Sequence, residues 1–350
     1  MSPTNMQASK PAVSVVSTVL NEREDIDALL SSLTAQTLAV AEIIIVDGGS
    51  TDGTWEYLEA ARVKYPNLIP IRDETCSLKY TPGPIARGRN VGTTAATSEV
   101  VACADAGCTY HPGWLAHLTK PIVDPDSAPA AEYAVGGSYT DPANATVWDI
   151  ASAPFFGVKL NPEAPTKSCT ARSMAFRKEL WQLVSGFSEA VWGDDSEFDA
   201  KVRKLVAPAF PEGAKAMYQP RHSFKSAIRQ MVAYSLVDGA QGGRSARLWR
   251  NIARCLAEIL AVLALAYFVI PLLCVIVLEL YFAFRLDWTD FRTFALRKAP
   301  LQRLAARLAY SLLVPWIVAW YQSLGSLTKK SLPNRQNRAA ESRSGIAQHR

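Results

Sequence analysis

The sequence predicts an α/β protein, a mostly parallel sheet flanked by helices, followed by C-terminal membrane helices. Three observations carry this. Short runs such as Ile43–Val46 and Val100–Ala104 are apolar on both faces, as inner strands of a helix-covered parallel sheet must be. Segments of helical periodicity alternate with these runs, the order of right-handed βαβ units. Beyond residue 254 the chain becomes strongly apolar, with two uncharged runs, Ile259–Leu278 and Leu308–Leu327. As a helix each would reach about 30 Å, enough for a bilayer core.

At 350 residues and 49% hydrophobic there is room for one large domain and an appendage. The expected divisions are a polar N-terminus (1–10), the α/β domain (11–225), a basic amphipathic segment (226–254), a membrane-associated region (255–327) and a disordered basic tail (328–350). The six cysteines follow no C-x-x-C spacing and no secretory leader precedes them, which favours reduced thiols over a disulfide framework or zinc site.

Taken in order, Val13–Val19 reads as the first strand, ending at Leu20-Asn21-Glu22-Arg23. Ile26, Leu29, Leu30 and Leu33 then recur at helical spacing. Ile43–Val46 is the second strand, and Asp47 stands at its carboxyl end, where open α/β sheets bind ligands. The glycine-rich turn Gly48-Gly49-Ser50-Thr51-Asp52-Gly53 follows, with Ser50, Thr51 or Asp52 expected to cap the next helix. It matches neither G-x-G-x-x-G nor a Walker loop, since Ser50 and Thr54 occupy decisive positions. Leu68–Ile71 is a third strand, and Thr81-Pro82-Gly83-Pro84 a turn-rich loop. Beyond it, Arg87 and Arg89 flank Gly88, read as a flexible glycine, and can clamp a diphosphate or line a solvated helix face.

Val100–Ala104 is the next strand, and Asp105 emerges from its carboxyl end, suited to a hard divalent cation. Gly136-Gly137-Ser138 and the Pro- and Ala-rich run 141–166 read as loops, and Cys169–Arg177 as a strand. Asp194 and Asp195 open a helix carrying Phe198, Val202, Leu205 and Val206. Two acids in a first turn complement the helix dipole, or one of them can take a proton from an attacking hydroxyl. Trp148, Trp181 and Trp192 are available to stack on the rings of a ligand or simply to be buried.

These motifs, in this order, resemble the family 2 glycosyltransferases of GT-A fold. The resemblance rests on Asn21-Glu22, Val46-Asp47-Gly48-Gly49-Ser50-Thr51-Asp52-Gly53-Thr54, Ala86–Gly92, Ala104-Asp105-Ala106-Gly107 and Trp192–Phe198, and covers about residues 12–240. It implies a mixed, mostly parallel GT-A sheet. It implies a nucleotide-sugar site of Glu22, Asp47, Asp52, Arg87, Arg89 and Asp105, with Asp47 on the base and Arg89 on the nucleotide or diphosphate. It makes Asp195 the catalytic base, puts Asp194 and Trp192 on the acceptor side, and gives Asp105 to a Mn2+ or Mg2+ ion. One departure is plain: the usual second metal carboxylate is replaced by Gly107. Gln230–Tyr234 lacks the Arg-Trp pair of processive synthases, which favours transfer of a single sugar. The chain is also similar to bacterial exopolysaccharide enzymes such as succinoglycan-type glucosyltransferases. The implied reaction is inverting transfer from a nucleotide-diphosphate sugar to a hydroxyl of a lipid-linked or cell-surface polysaccharide precursor. Transfer directly to a polyprenyl phosphate and an inactive membrane scaffold are the alternatives.

In the C-terminal third, Phe224, Ile228, Met231 and Ser235 share a helical face, and Arg244, Arg247, Arg250 and Arg254 form a basic stripe suited to an anionic membrane surface rather than nucleic acid. Basic residues flank both apolar runs on every side, so the positive-inside rule leaves the number of full crossings open. The expected location is the inner membrane, with the catalytic domain on the cytoplasmic side.

Overall fold

A computed structural model describes residues 12–124, 131–140, 145–153, 158–161, 170–190, 194–218, 223–240, 245–265, 273–279, 281 and 300–328. It divides into two units, one built from residues 1–222 with 287–303, the other from 223–286 with 304–350.

In the first unit, β1 (Val13–Val19), α1 (Ile26–Thr34), β2 (Glu42–Asp47), α2 (Thr54–Ala61), β3 (Leu68–Arg72), α3 (Pro84–Ala95) and β4 (Val100–Cys103) follow in the expected order. β3, β2, β1 and β4 pair in parallel. Further on come β5 (Cys108–Tyr110), α4 (Trp114–Val123), β6 (Tyr133–Val135), β7 (Gly137–Tyr139), α5 (Val147–Ser152), β8 (Met174–Arg177), α6 (Lys178–Leu183), α7 (Asp194–Val202) and β9 (Lys215–Tyr218). β8 and β6 extend the main sheet antiparallel, giving the order β3-β2-β1-β4-β8-β6, and β5-β9-β7 form a second small sheet. The crossover from β3 back to β4 makes the carboxyl ends of β1 and β4 a topological switch point, where such sheets open a crevice.

Both faces of the main sheet are covered. Val13, Val15, Ile43 and Ile45 pack with Ile26, Leu29, Leu30 and Leu33 of α1 and with α4. Val16, Ile44 and Val46 face α3, α6 and α7. The four α1 residues expected from periodicity are all fully buried. Phe187 and Phe198 stack at 4.3 Å between ring centroids and fasten α7 to this second face.

Several local expectations are corrected. Gly88 is no hinge: a Cβ there would lie 2.6 Å from Thr18 Cγ2, and one on Gly92 would lie 2.5 Å from Val16 Cγ1. The two glycines let α3 settle directly on β1. The cap of α2 is Gly53 in the left-handed region, although Asp52 Oδ1 does accept from the Thr54 amide at 3.0 Å. Gly137 and Ser138 are in β7 rather than a loop, paired in parallel with β9, and a side chain on the preceding Gly136 would strike Ser173 and Ala214. The run after 141 contains α5, closed by a capping box between Thr146 and Asp149. The segment before Arg177 is a single 3₁₀ turn over Ala171–Ser173 and only then β8; Cys169 lies outside the described residues. α7 ends at Val202, so Leu205 is exposed.

The second unit holds α8 (Phe224–Ala240), α9 (Ser245–Leu265), a helical stretch over 273–279, and α10 (Pro300–Thr328) from Leu304 onward. The buried stripe of α8 is Ala227, Met231, Ser235 and Gly239; it includes Met231 and Ser235 of the expected face, while Phe224 is exposed and Ile228 half-buried. A Cβ on Gly239 would sit 2.0 Å from the Gln322 carbonyl oxygen, so α8 and α10 meet backbone to backbone. Arg254 pairs with Glu279 at 2.6 Å, and the Trp316 indole donates to Glu258. Arg244 of the expected basic stripe lies outside the described residues, as does the 1–10 segment.

The expected membrane-spanning helices are not found: among the described residues no helix is long and apolar enough to cross a membrane. Of the first apolar run, residues 266–272 fall outside the description. The second run lies within α10, where Tyr321, Gln322, Ser323 and Ser326 dilute its apolar character.

Candidate active site

The loops after β1 and β2 are stitched together by backbone-to-side-chain bonds. The Asn21 amide donates to Ser50 Oγ at 2.8 Å, the Glu22 amide to Thr54 Oγ1 at 3.0 Å, and the Arg23 amide to Asp52 Oδ2 at 3.0 Å. In return Asn21 Oδ1 accepts from the Thr51 amide at 2.9 Å. Asp52 therefore holds the loop with both carboxylate oxygens. Asp47 is fully buried, and its Oδ1 accepts from the amides of Gly49 and Ser50 at 2.7 and 2.8 Å. Its Oδ2 is buried without a hydrogen-bond partner, the condition of an acceptor that a ligand donor would satisfy.

Asp47 is level with Val19 of β1, and Val16 with Cys103 of β4. Asp105, just past Cys103, therefore leaves the same edge two strands away, about 10 Å across the sheet. Arg89 reaches it from α3. Its Nη2 lies 2.9 Å from Asp105 Oδ1 and its Nη1 lies 2.5 Å from Asp194 Oδ2, and only 5% of its side chain is exposed. Burial opposes the guanidinium's charge, yet Asp194 and Asp105 hold its pKa well above the ordinary arginine value. Burial likewise pushes the Asp194 carboxyl up, against the pull of Arg89. Asp195 Oδ2 accepts from the Ala171 amide at 3.3 Å, and its Oδ1 from the Ser196 amide at 2.7 Å. Ala171 precedes β8, whose Met174 is level with Cys103. Asp47, Asp105 and Asp195 thus gather along one sheet edge.

Arg87 and Arg89 do not form a joint clamp. Two helical positions apart is about 200°, so they face opposite ways. Arg87 donates to Thr75 Oγ1 at 2.7 Å and pairs with Glu189 at 3.0 Å, on the side of the loop after β3. Both terminal nitrogens of Arg89 are on carboxylates. The Trp181 indole donates to Asn90 Oδ1 at 3.3 Å and its half-buried ring packs against the core. Trp192 lies outside the described residues, and Trp148 sits half-buried in α5.

Residues that the sequence did not single out surround these acids. The Asp105 amide donates to the Tyr110 hydroxyl at 2.9 Å, which donates to the Arg172 carbonyl at 3.0 Å. The Trp114 indole donates to Ser173 Oγ at 2.8 Å. Cys103 and Cys108, beside Arg89 and Asp105, are free thiols pushed up to about 12 by burial, so neither offers a thiolate.

Asp105 is partly exposed and, among the described residues, no group of three His, Cys, Asp or Glu gathers to hold a metal ion. A closed protein cage is therefore absent from those residues. A hard cation shared with a diphosphate needs only one or two protein carboxylates, and Asp105 meets that requirement. Three carboxylates against one guanidinium leave the cluster net negative, which complements a divalent cation.

Residues 14–182 match the family described as Glycosyl transferase family 2. Over 113 residues the chain is 36% identical to the glycosyltransferase AglE of Haloferax volcanii, covering 31% of this chain and 35% of that protein. Over 117 residues it is 32% identical to polypeptide N-acetylgalactosaminyltransferase 8 of Drosophila melanogaster, covering 33% of this chain and 19% of that protein. The chain thus spans about a third of the first relative and a fifth of the second. Its fold is similar to that of a mannosyltransferase from Pyrobaculum calidifontis, solved in complex with GDP-Man and Mn2+. That likeness has a TM-score of 0.51 at 18% identity, and covers 92% of this chain and 88% of that one. Sequence match, sheet order and fold agree in likening residues 14–182 to a family 2 glycosyltransferase domain.

Proposed function

We propose that this protein moves one sugar, with inversion, from a nucleotide-diphosphate sugar to a hydroxyl of a lipid-linked or cell-surface polysaccharide precursor. The observation that carries the reading is the edge cluster, where Arg89 ties Asp105 to Asp194 and Asp195 stands beside them. Asp47, with one buried oxygen unpartnered, receives an N–H or O–H of the nucleotide. Asp195 takes the acceptor hydroxyl's proton as that oxygen attacks the anomeric carbon. Arg89 keeps Asp105 and Asp194 in place without reorganisation during the reaction. Asp105 would hold a divalent cation, Mn2+ or Mg2+, which supplies charge neutralisation for the departing diphosphate. The similar mannosyltransferase was solved with such an ion and a nucleotide sugar.

The second unit supports a place at the membrane surface. Trp249, Leu256, Leu260 and Leu263 form one exposed stripe of α9, and Leu313, Trp316, Trp320 and Leu324 one of α10. An apolar stripe with tryptophans and flanking arginines suits a helix lying in the bilayer interface. We place it on the cytoplasmic face of the inner membrane, where nucleotide sugars are made.

The test is release of nucleoside diphosphate by the full chain, offered UDP-glucose, UDP-galactose, UDP-N-acetylglucosamine and GDP-mannose with Mn2+ and a bacterial lipid extract. One donor is expected to be consumed, and consumption to stop with a chelator. No release from any donor would overturn the reading.

A further inference from the structure

Asp195 is held partly by the Ala171 amide, so the 3₁₀ turn Ala171–Ser173 sets where its carboxylate stands. That turn is fastened by side chains from a different part of the chain, β5 and the start of α4. We infer that Tyr110, supported by Trp114, is a positioning residue that fixes the Asp195 turn relative to Asp105.

One hydroxyl does both halves of this. It accepts from the Asp105 amide at 2.9 Å and donates to the Arg172 carbonyl at 3.0 Å, so the backbones bearing Asp105 and flanking Ala171 are one oxygen apart. Trp114 packs against Tyr110 with centroids 4.1 Å apart and ring planes tilted by 44°, and its indole N–H donates to Ser173 Oγ at 2.8 Å, gripping the turn at its other end. Both rings are buried. On the opposite side Arg89 ties Asp105 to Asp194, the neighbour of Asp195 in α7. Asp105 and the Asp194–Asp195 pair are therefore linked twice, by a charged arm through Arg89 and a neutral arm through Tyr110. The neutral arm touches no reacting atom; it sets a distance. Misplacing a reactive group by about 1 Å can cost a hundredfold in rate.

This inference rests on the proposed role of Asp195, and its test separates the two. In full-length Tyr110→Phe the ring and its packing against Trp114 remain while the oxygen bridge is lost. Hydrogen exchange of the peptide covering residues 170–173 is expected to quicken, with β8 still protected. With the donor that the wild type consumes, kcat is expected to fall by roughly ten- to a hundredfold, with KM for that donor within twofold and the melting temperature little changed. Ser173→Ala, which removes the acceptor of the Trp114 indole, is the second variant and should shift exchange and kcat in the same direction by less. Unchanged exchange in a folded variant, faster exchange with unchanged kcat, or a rise in KM that accounts for the loss would each overturn the inference. Should the wild type consume no donor, the exchange measurement alone decides whether Tyr110 holds the turn, and the enzymatic reading fails separately.

Discussion

The two units handle apolar side chains in opposite ways. In the first, Ile43, Ile44, Ile45, Leu29 and Leu33 vanish between sheet and helices, and its interior polar groups are mostly tied to named partners. In the second, Leu260, Val262, Leu263 and Trp320 stand 63–70% exposed beside a small buried stripe on each helix. Parallel strands cannot leave a face to water and must be wrapped, whereas helices of a basic, apolar segment can remain half-covered when something else is to cover them. On the proposed reading, chemistry and surface attachment are carried by separate parts of the chain. Changes in one should leave the other's property intact.

The largest expected effect lies wholly in the first unit. Asp195→Asn keeps the shape and removes the basicity, so kcat should fall by roughly 10²–10⁴-fold with donor binding by calorimetry preserved. Vesicle binding should not change. If Asp195→Asn and Asp194→Asn behave alike in kcat, the assignment of the base is wrong.

Asp194→Asn should instead be felt mainly in stability. It leaves the buried Arg89 with Asp105 alone, and breaking a buried ion pair on one side costs about 3 kcal/mol. Chemical denaturation of the full chain would show this as a lower midpoint of the first transition. No loss would mean that Arg89 is better solvated than its burial suggests.

A smaller effect sharpens the other side of the comparison. Leu260→Asp with Leu263→Asp places two charges on the exposed stripe of α9. Co-sedimentation with vesicles of anionic phospholipid should drop severalfold, while nucleoside diphosphate release in detergent is unchanged. Equal sedimentation of both proteins would break the proposed division of labour.

The smallest expected effect concerns acid stability of the first unit. A hydrogen bond from Thr75 holds the Asp73 carboxyl below its ordinary value. A carboxylate depressed on folding stabilises the protein above about pH 4 and loses that contribution as pH falls through its folded pKa. The gap in stability between wild type and Asp73→Asn should therefore narrow below about pH 4, and a gap that widens there would refute the assignment.

Much of this protein was legible without coordinates. Val13–Val19, Ile43–Val46 and Val100–Ala104 announced inner strands because a doubly covered strand must be apolar at every position. The α1 periodicity named all four of its buried residues. Asp47 and Asp105 were placed at the sheet's carboxyl edge because each comes at or just past the end of an apolar parallel strand. The three-residue strands β6 and β7 gave no such signal: they are too short for alternation, and Gly136 and Gly137 carry no hydropathy to read.

What only the tertiary structure decided was which groups meet. In the chain Arg87 and Arg89 read as a clamp or as a solvated helix face, yet helix geometry sends one to Glu189 and the other to Asp105 and Asp194. Tyr110 was an unremarked residue until its hydroxyl was found between Asp105 and Arg172, 62 positions away from the latter. Pattern and propensity are local, set by whether a residue faces core or water over the next few positions. A hydrogen bond or ion pair across the fold depends on where two separate segments end up, and no periodicity in either segment records that.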